Sequence, residues 1–127
     1  MKVAIPRFNG RVSPRFDHAP DFLTLRLESG RALEQKVIPT HGWGPWRMIR
    51  LLEAEGVDTV VCGGIENFWA YSLQRLGIRI YPWVSGEVEN VIHLLCKGRM
   101  QGGIMVYPQA RCRRWRFRGG RCGWNRR

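Results

Sequence analysis

Hydrophobic and polar positions follow two different periods along the chain, and each period predicts one type of element. Phe22 to Leu27 (FLTLRL) alternates apolar and polar side chains, as a strand with one solvated face does. Trp46, Ile49 and Leu52 instead share one face of a helix, with charged side chains on another. Two helix-like segments each end at a glycine that is followed by an apolar run, in LLEAEGVDTVVCGG and in SLQRLGIRIYPW. The repeat of helix, glycine and strand predicts a sheet with parallel strands.

The same patterns predict the remaining elements and their order. The predicted strands are Lys2–Pro6, Phe22–Leu27, Ala32–Ile38, Thr59–Cys62 and Ile78–Tyr81. Three helices are predicted: one around Trp46 that ends at Gly56, one over Glu66–Leu76, and a third that begins after Ser85. Ser85 would cap this third helix, with Glu87 in its first turn. Its buried stripe would consist of Val88, Val91, Ile92 and Leu95. Residues 7–20, with a turn at Asn9-Gly10, and residues 40–45 are predicted loops. The order βββαβαβα predicts an α/β fold with a mixed five-stranded sheet, in which the turn at Ser29-Gly30 makes two strands antiparallel.

Charge divides the chain into two parts. The 127 residues suit one domain, and the formal net charge is +11. Residues 1–110 contribute +3 of this charge, whereas residues 111–127 hold eight arginines and no acid. The end of the chain has too little aliphatic content to offset the entropy of ordering. We therefore predict a domain over residues 1–107 and a disordered, basic C-terminal tail over residues 108–127.

Cysteine usage and hydropathy predict a cytoplasmic protein. The opening run MKVAIP meets Arg7 at once, which is too short for a signal peptide. No segment approaches the roughly 20 apolar residues of a membrane-spanning helix, so no membrane partner is expected. The four cysteines form no CxxC pair, which favours reduced thiols over a secreted disulfide framework.

The loop after the first strand is cationic. It carries Arg7, Arg11, Arg15 and His18, and Asp17 is the one acid among them. Such a loop at the carboxyl end of a parallel strand would attract an anionic ligand. A solvated loop with scattered charge is the alternative.

Two glycine-rich turns lie beside predicted helix N-termini. Gly42 and Gly44 precede the first helix, and Gly63 and Gly64 precede the second. Free backbone N–H groups at helix N-termini suit anions, and glycine allows a ligand to approach the main chain. Neither turn has a Walker A or GxGxxG pattern, and ordinary structural turns explain the glycines equally well.

Three metal-binding side chains are predicted at the same end of the sheet: His18, His41 and Cys62. Imidazole and thiolate suit iron, copper or an iron–sulfur unit. They lack the close spacing of a metal-binding motif, and a single buried cysteine is commonly a small core residue. Cys62 therefore has two interpretations, as a ligand or as packing.

The basic tail and the missing catalytic motifs complete the sequence evidence. Arginines alternate with Trp115, Phe117 and Trp124 in the tail, a composition typical of segments that bind single-stranded nucleic acid. The alternative is a basic appendage that binds no ligand. Cys112 and Cys122 are a further, weaker metal pair. The chain has no clustered carboxylates after the first strand and no GxSxG motif, so we expect no enzymatic activity.

An ordered set of segments resembles a known family. The segments MKVAIP, VSPRFDHAPDFL, HGWGP, LLEAEGVDTVVCGGI and LGIRIYPWVSGEVENVI resemble the dinitrogenase iron–molybdenum cofactor biosynthesis family, the domain type of NifX and of the carboxyl end of NifB. The resemblance covers about residues 1–100. It implies a ribonuclease H-like, three-layer fold and a non-catalytic role.

The resemblance also implies a ligand and its partners. Family members bind or carry iron–sulfur or molybdenum–iron–sulfur clusters, and small orange-protein types hold mixed-metal clusters such as molybdenum–copper sulfide. The corresponding positions here are Ser13 to Phe16 with His18, the pair His41-Gly42, and Gly63-Gly64. We expect a cluster carrier that meets cluster donor or acceptor proteins. The alternative is a module that binds nucleic acid or protein through residues 111–127, and exposed Trp and Phe side chains would also allow a homodimer.

Overall fold

The computed structural model describes residues 1–106 as a mixed α/β fold. The strands are β1 (Lys2–Phe8), β2 (Arg11–Val12), β3 (Asp21–Glu28), β4 (Arg31–Pro39), β5 (Thr59–Val61) and β6 (Arg79–Tyr81). The helices are α1 (Pro45–Ala54), α2 (Asn67–Arg75) and α3 (Val88–Cys96), and a 3-10 turn covers Phe16–His18. The predicted tail over residues 108–127 lies outside the described residues.

The strands form one mixed sheet in the order β4-β3-β1-β5-β6, with β2 paired to β1. β3 is antiparallel to both β1 and β4, whereas β1, β5 and β6 are parallel neighbours. Strands β1, β4, β5 and β6 therefore all end at the same edge of the sheet, where β3 begins. We call it the carboxyl edge.

The prediction of five strands was wrong, because the sheet has six. The additional strand lies within residues 7–20, which were predicted to be a loop. Arg7 and Phe8 extend β1, and they pair with Val12 and Arg11 of the additional strand β2. The Asn9-Gly10 turn, with φ of 52° and 77°, makes this hairpin. A two-residue strand has no hydrophobic period of its own, so only its pairing with β1 reveals it.

Helices cover both faces of the sheet, which gives two apolar clusters. Along β1, Val3 and Ile5 belong to the cluster under α3, whereas Ala4 belongs to the cluster under α1 and α2. This alternation follows from the two-residue period of a strand. The predicted apolar face of α1 is confirmed at Ile49 and Leu52, which are buried against the sheet, but not at Trp46, which is 55% exposed.

The predicted start of α3 was wrong. Ser85 does not cap the helix, because it pairs with Met105 and its backbone accepts from Val106. Glu87 is the N-cap residue rather than part of the first turn, and its side chain makes no capping bond. A tertiary contact with the end of the described chain thus decides where α3 begins. Its predicted buried stripe is confirmed at Val88, Val91 and Leu95, whereas Ile92 is only half-buried.

Candidate functional site

The carboxyl edge brings the loop before β3 beside the loop after β4. The Thr40 hydroxyl donates to the carbonyl of Ala19 at 2.9 Å, and the Thr40 N–H donates to the carbonyl of Pro20 at 2.9 Å. His18 precedes Ala19, and His41 follows Thr40. The two histidines are therefore carried by segments that are tied together by hydrogen bonds. Both side chains are exposed, and the His18 side chain is 69% accessible.

The Gly63-Gly64 turn holds the 13–16 loop against the end of β5. Gly64 donates its N–H to Pro14 at 2.7 Å, and Phe16 donates to the Gly64 carbonyl at 2.9 Å. A Cβ atom at Gly63 would lie 2.3 Å from the Ser13 carbonyl oxygen, so only glycine fits there. The Gly64 N–H is already satisfied within the protein, which removes it from the predicted donors to a ligand.

Cys62 lies in the core, at the end of β5. It is fully buried in the cluster under α1 and α2, and its backbone bonds to Tyr81 and Val84. Burial raises the pKa of the Cys62 thiol to about 12. The thiolate is the form that binds metal, so in this conformation Cys62 is a packing side chain. Its predicted role as a ligand requires exposure of the thiol.

The three predicted arginines occupy different places. Arg7 pairs with Asp21 at 2.8 Å and faces the side of the sheet that α3 covers. Arg11 lies opposite Glu87 in an isolated bridge. Arg15 is beside Gly64 at the carboxyl edge, where the carboxylate of Asp17, 3.2 Å away, raises the pKa of the guanidinium. Of the three, only Arg15 therefore lies next to the glycine turn, and its charge is paired with Asp17 there, as that of Arg7 is paired with Asp21.

The N-terminus of α1 opens onto the same edge. Gly42 adopts a φ of 81° that favours glycine, and the exposed Gly44 is the N-cap residue. No side chain caps the helix, and its first turn contains no acid, so its N-terminal N–H groups carry an uncompensated partial positive charge. This is the strongest anion-binding feature of the predicted turns.

An aromatic cluster beside the edge was missed by the sequence analysis. Trp46, at the start of α1, packs edge to face against Phe68 and Trp69 at the start of α2, with centroid distances of 5.9 and 5.0 Å. Arg47 lies 3.9 Å above the ring of Trp43. Trp46 and Phe68 are more than half exposed. The available signal was the placement of aromatic residues in the first turn of two successive helices.

The described part of the chain has neither a clustered metal site nor a membrane-spanning helix. Within residues 1–106, no three His, Cys, Asp or Glu side chains are grouped as a metal site. His18, His41 and Cys62 share the carboxyl edge without forming such a group. Among the same residues, no helix has the length and apolar character needed to cross a membrane.

Comparison with known proteins now assigns the family. A family model described as dinitrogenase iron–molybdenum cofactor matches residues 1–98. The chain belongs to this family. The predicted resemblance is therefore confirmed, and it connects the chain with the iron–molybdenum cofactor of dinitrogenase and its biosynthesis.

Three similar proteins show how far the fold extends. An uncharacterised protein of Methanocaldococcus jannaschii is 28% identical over 108 residues, which cover 80% of this chain and 90% of the relative. The crystal structure of a candidate dinitrogenase from the same organism has a TM-score of 0.66 at 24% identity, covering 78% of this chain and 90% of that one. A candidate NifB protein from Thermotoga has a TM-score of 0.61 at 26% identity, covering 80% and 91%. Each match therefore covers most of both chains.

Proposed function

We propose that the protein is a non-catalytic carrier of an anionic iron–sulfur or molybdenum–iron–sulfur cluster, or of its precursor, in assembly of the dinitrogenase cofactor. One structural observation carries the proposal. The segments of His18 and His41 are joined at the carboxyl edge, next to the uncapped N-terminus of α1. Family membership supplies the class of cargo.

The donor set of this edge fits such a cargo. Exposed imidazoles are ligands for iron and copper, and the two histidines leave coordination positions for sulfide or for a partner protein. Metal–sulfur clusters are anionic in general, so the partial positive charge of α1 would attract them, and Arg15 would contribute by exchanging its ion pair with Asp17 for the cluster. Gly42 and Gly44 keep side chains away from the helix N-terminus. We also propose that the fold is ribonuclease H-like, as the family resemblance implies.

Anaerobic reconstitution tests the carrier proposal. The full chain is offered iron and sulfide, with and without molybdate or copper, and bound metal and sulfide are measured after desalting. The double variant His18→Ala, His41→Ala is expected to retain less than about a tenth of the wild-type metal, since ligand loss typically costs more than tenfold in affinity. His93→Ala, an exposed histidine of α3, is the matched control and should bind normally.

The outcomes separate the carboxyl edge from other sites. Equal metal retention in the double variant and in the control contradicts the assignment to His18 and His41. If only Cys62→Ala lowered the metal content, the thiol would have to become exposed on binding. If removal of Cys112 and Cys122 abolished binding, the metal would belong to the tail, which lies outside the described residues.

The nucleic-acid alternative remains a prediction about residues 111–127. It requires binding of single-stranded RNA or DNA that weakens steeply with salt, because arginine–phosphate contacts release counterions. Binding that is unaffected by deletion of residues 111–127 would contradict it. No observation within the described residues favours this alternative over the carrier.

A further inference from the structure

A groove of about 490 Å³ lies on the α3 face of the sheet, away from the Gly63-Gly64 turn. Its apolar floor includes Leu23, Val37 and Ile92, and Val37 is 47% exposed. Val37 supplies most of the exposed apolar surface of the floor, since Leu23 is buried and Ile92 is half-buried, and polar side chains surround it. The groove is continuous with the Asn9-Gly10 turn and the start of α3.

Acidic side chains line one side of this groove. Glu87 and Glu89 are both exposed there, and within residues 1–106 neither forms an ion pair. Arg7 also lines the groove, but Asp21 neutralises it at 2.8 Å. The backbone of Arg11 forms a β-bridge with that of Glu87, but the two side chains do not form an ion pair. The groove therefore combines an apolar floor with two carboxylates that lack a partner in the described chain.

The described chain ends next to the residues that precede Glu87, at one side of this groove. Residues 105–106 run parallel to residues 85–86, and Val106 donates its N–H to Ser85 at 2.7 Å. The Val106 backbone also packs on Gly86, which is next to Glu87. Because the two segments are parallel, residues 105–106 run in the direction of Glu87 and α3.

The segment that follows has the complementary chemistry. Residues 111–118 read RCRRWRFR, with five arginines, two aromatic side chains and no acid. Arginine pairs with carboxylates in a forked geometry, and Trp and Phe fill apolar grooves. From Val106 to Trp115 the chain can extend about 30 Å, which is ample to cross the groove.

We propose that residues 111–118 of the same chain bind in this groove, with arginines against Glu87 and Glu89 and aromatic rings on the floor of Leu23, Val37 and Ile92. The basic segment is thereby held on the α3 face, and its arginines are masked from external anions. The proposal is independent of cluster carrying, because it uses neither His18 nor His41.

Disulfide trapping in the metal-free full chain tests the proposal. Val37→Cys places a thiol on the groove floor, and the native Cys112 supplies the second thiol. Lys36→Cys is the matched control, because Lys36 reaches Glu55 on the opposite face of the sheet. After mild oxidation, peptide mass spectrometry is expected to show at least about fivefold more 37–112 than 36–112 linkage. The tether acts equally on both positions, so the difference reports binding on the groove face, where position 37 lies.

Charge and dilution complete the test. Adding Glu87→Gln and Glu89→Gln to the Val37→Cys variant should lower the yield about threefold, as loss of two exposed ion pairs would, whereas Glu53→Gln with Glu66→Gln should leave it unchanged. The yield should not depend on protein concentration. Equal linkage at positions 36 and 37 overturns the proposal. A 37–112 yield that is unchanged by the substitutions of Glu87 and Glu89 also overturns it. A yield that rises with protein concentration assigns the groove to the segment of a second copy and also overturns binding within one chain.

Discussion

At the scale of single residues, close backbone approach shapes the carboxyl edge more than side-chain chemistry does. Gly63 is surrounded by the carbonyl oxygens of Ser13 and Pro14, at 2.3 and 2.8 Å from the position of a Cβ atom. Its role is therefore to let the 13–16 loop pack on the end of β5. The sequence alone left this glycine between ligand contact and an ordinary structural turn, and its packing favours the structural interpretation.

Replacement of Gly63 by alanine is expected to destabilise the protein. The added methyl group meets backbone oxygen atoms that belong to a hydrogen-bonded loop, so the loop must shift, at a cost of about 1–3 kcal/mol. Urea denaturation measures the free energy of unfolding. Gly44→Ser is the control, because open space surrounds Gly44 and serine is a good N-cap residue. Equal stability of Gly63→Ala and the wild type would contradict this packing.

The Cys62 thiol should make stability fall at alkaline pH. Burial raises its pKa from 9.0 to about 12, so the folded protein holds this proton more tightly than the unfolded chain. The stabilising contribution is complete below pH 9 and is lost as the pH rises towards 12, with a slope of up to about 1.4 kcal/mol per pH unit. Between pH 9 and 11, the wild type should lose stability more steeply than Cys62→Ala.

Urea denaturation at four pH values between 8 and 11 measures this difference. Cys96→Ala is the matched control, because Cys96 is only partly buried on α3. It should keep the wild-type slope. Parallel curves for Cys62→Ala and the wild type would mean that the thiol reaches solvent in the folded protein, which would restore its candidacy as a metal ligand.

At the scale of elements, aromatic packing joins α1 to α2 on the outside of the sheet. Trp46 contacts both Phe68 and Trp69 edge to face, and Phe68 and Trp69 also contact each other at 4.8 Å. These contacts connect the first turns of the two helices. They therefore position the N-terminus of α1 at the proposed cluster site.

Trp46→Ala should weaken this connection. Loss of two aromatic contacts is expected to lower the free energy of unfolding by about 1–3 kcal/mol, since each pair contributes about 0.5–1.5 kcal/mol. Tyr71→Ala is the control, because Tyr71 is 61% exposed and takes part in none of these edge-to-face contacts. Thermal denaturation of both variants compares them. A loss in Tyr71→Ala as large as that in Trp46→Ala would contradict the role of the cluster.

At the scale of the whole molecule, the position of a strand in the sheet should set its local stability. β1 is central, with β3 on one side and β5 on the other, and Val3, Ala4 and Ile5 are fully buried. β4 is an edge strand with mostly exposed side chains. Buried, doubly paired strands open only with the whole domain, whereas edges open locally.

Native-state hydrogen exchange should follow this order. The amides of Ala4 and Ile5 in β1 are expected to exchange most slowly, and the outward amides of β4 at least about tenfold faster, because local opening of an edge costs less free energy. Exchange resolved by NMR measures each amide. Equal protection in β1 and β4 would mean that another chain covers the β4 edge.

Local sequence patterns by themselves determined most elements of this protein. The period-two run in β3, the apolar faces of α1 and α3 and the turns at Asn9-Gly10 and Ser29-Gly30 are all local properties. The family also followed from ordered local segments. These features could be predicted because backbone dihedrals and hydrophobic period act between residues a few positions apart.

Only the tertiary structure decided what the candidate residues can do. Cys62 is buried because β5 lies under α1 and α2, and Arg7 is neutralised because β1 pairs it with Asp21. The strand β2 and the start of α3 exist through contacts with β1 and with residues 105–106. Such contacts join positions far apart in the chain, so their consequences for charge, burial and exposure are set by packing rather than by local sequence.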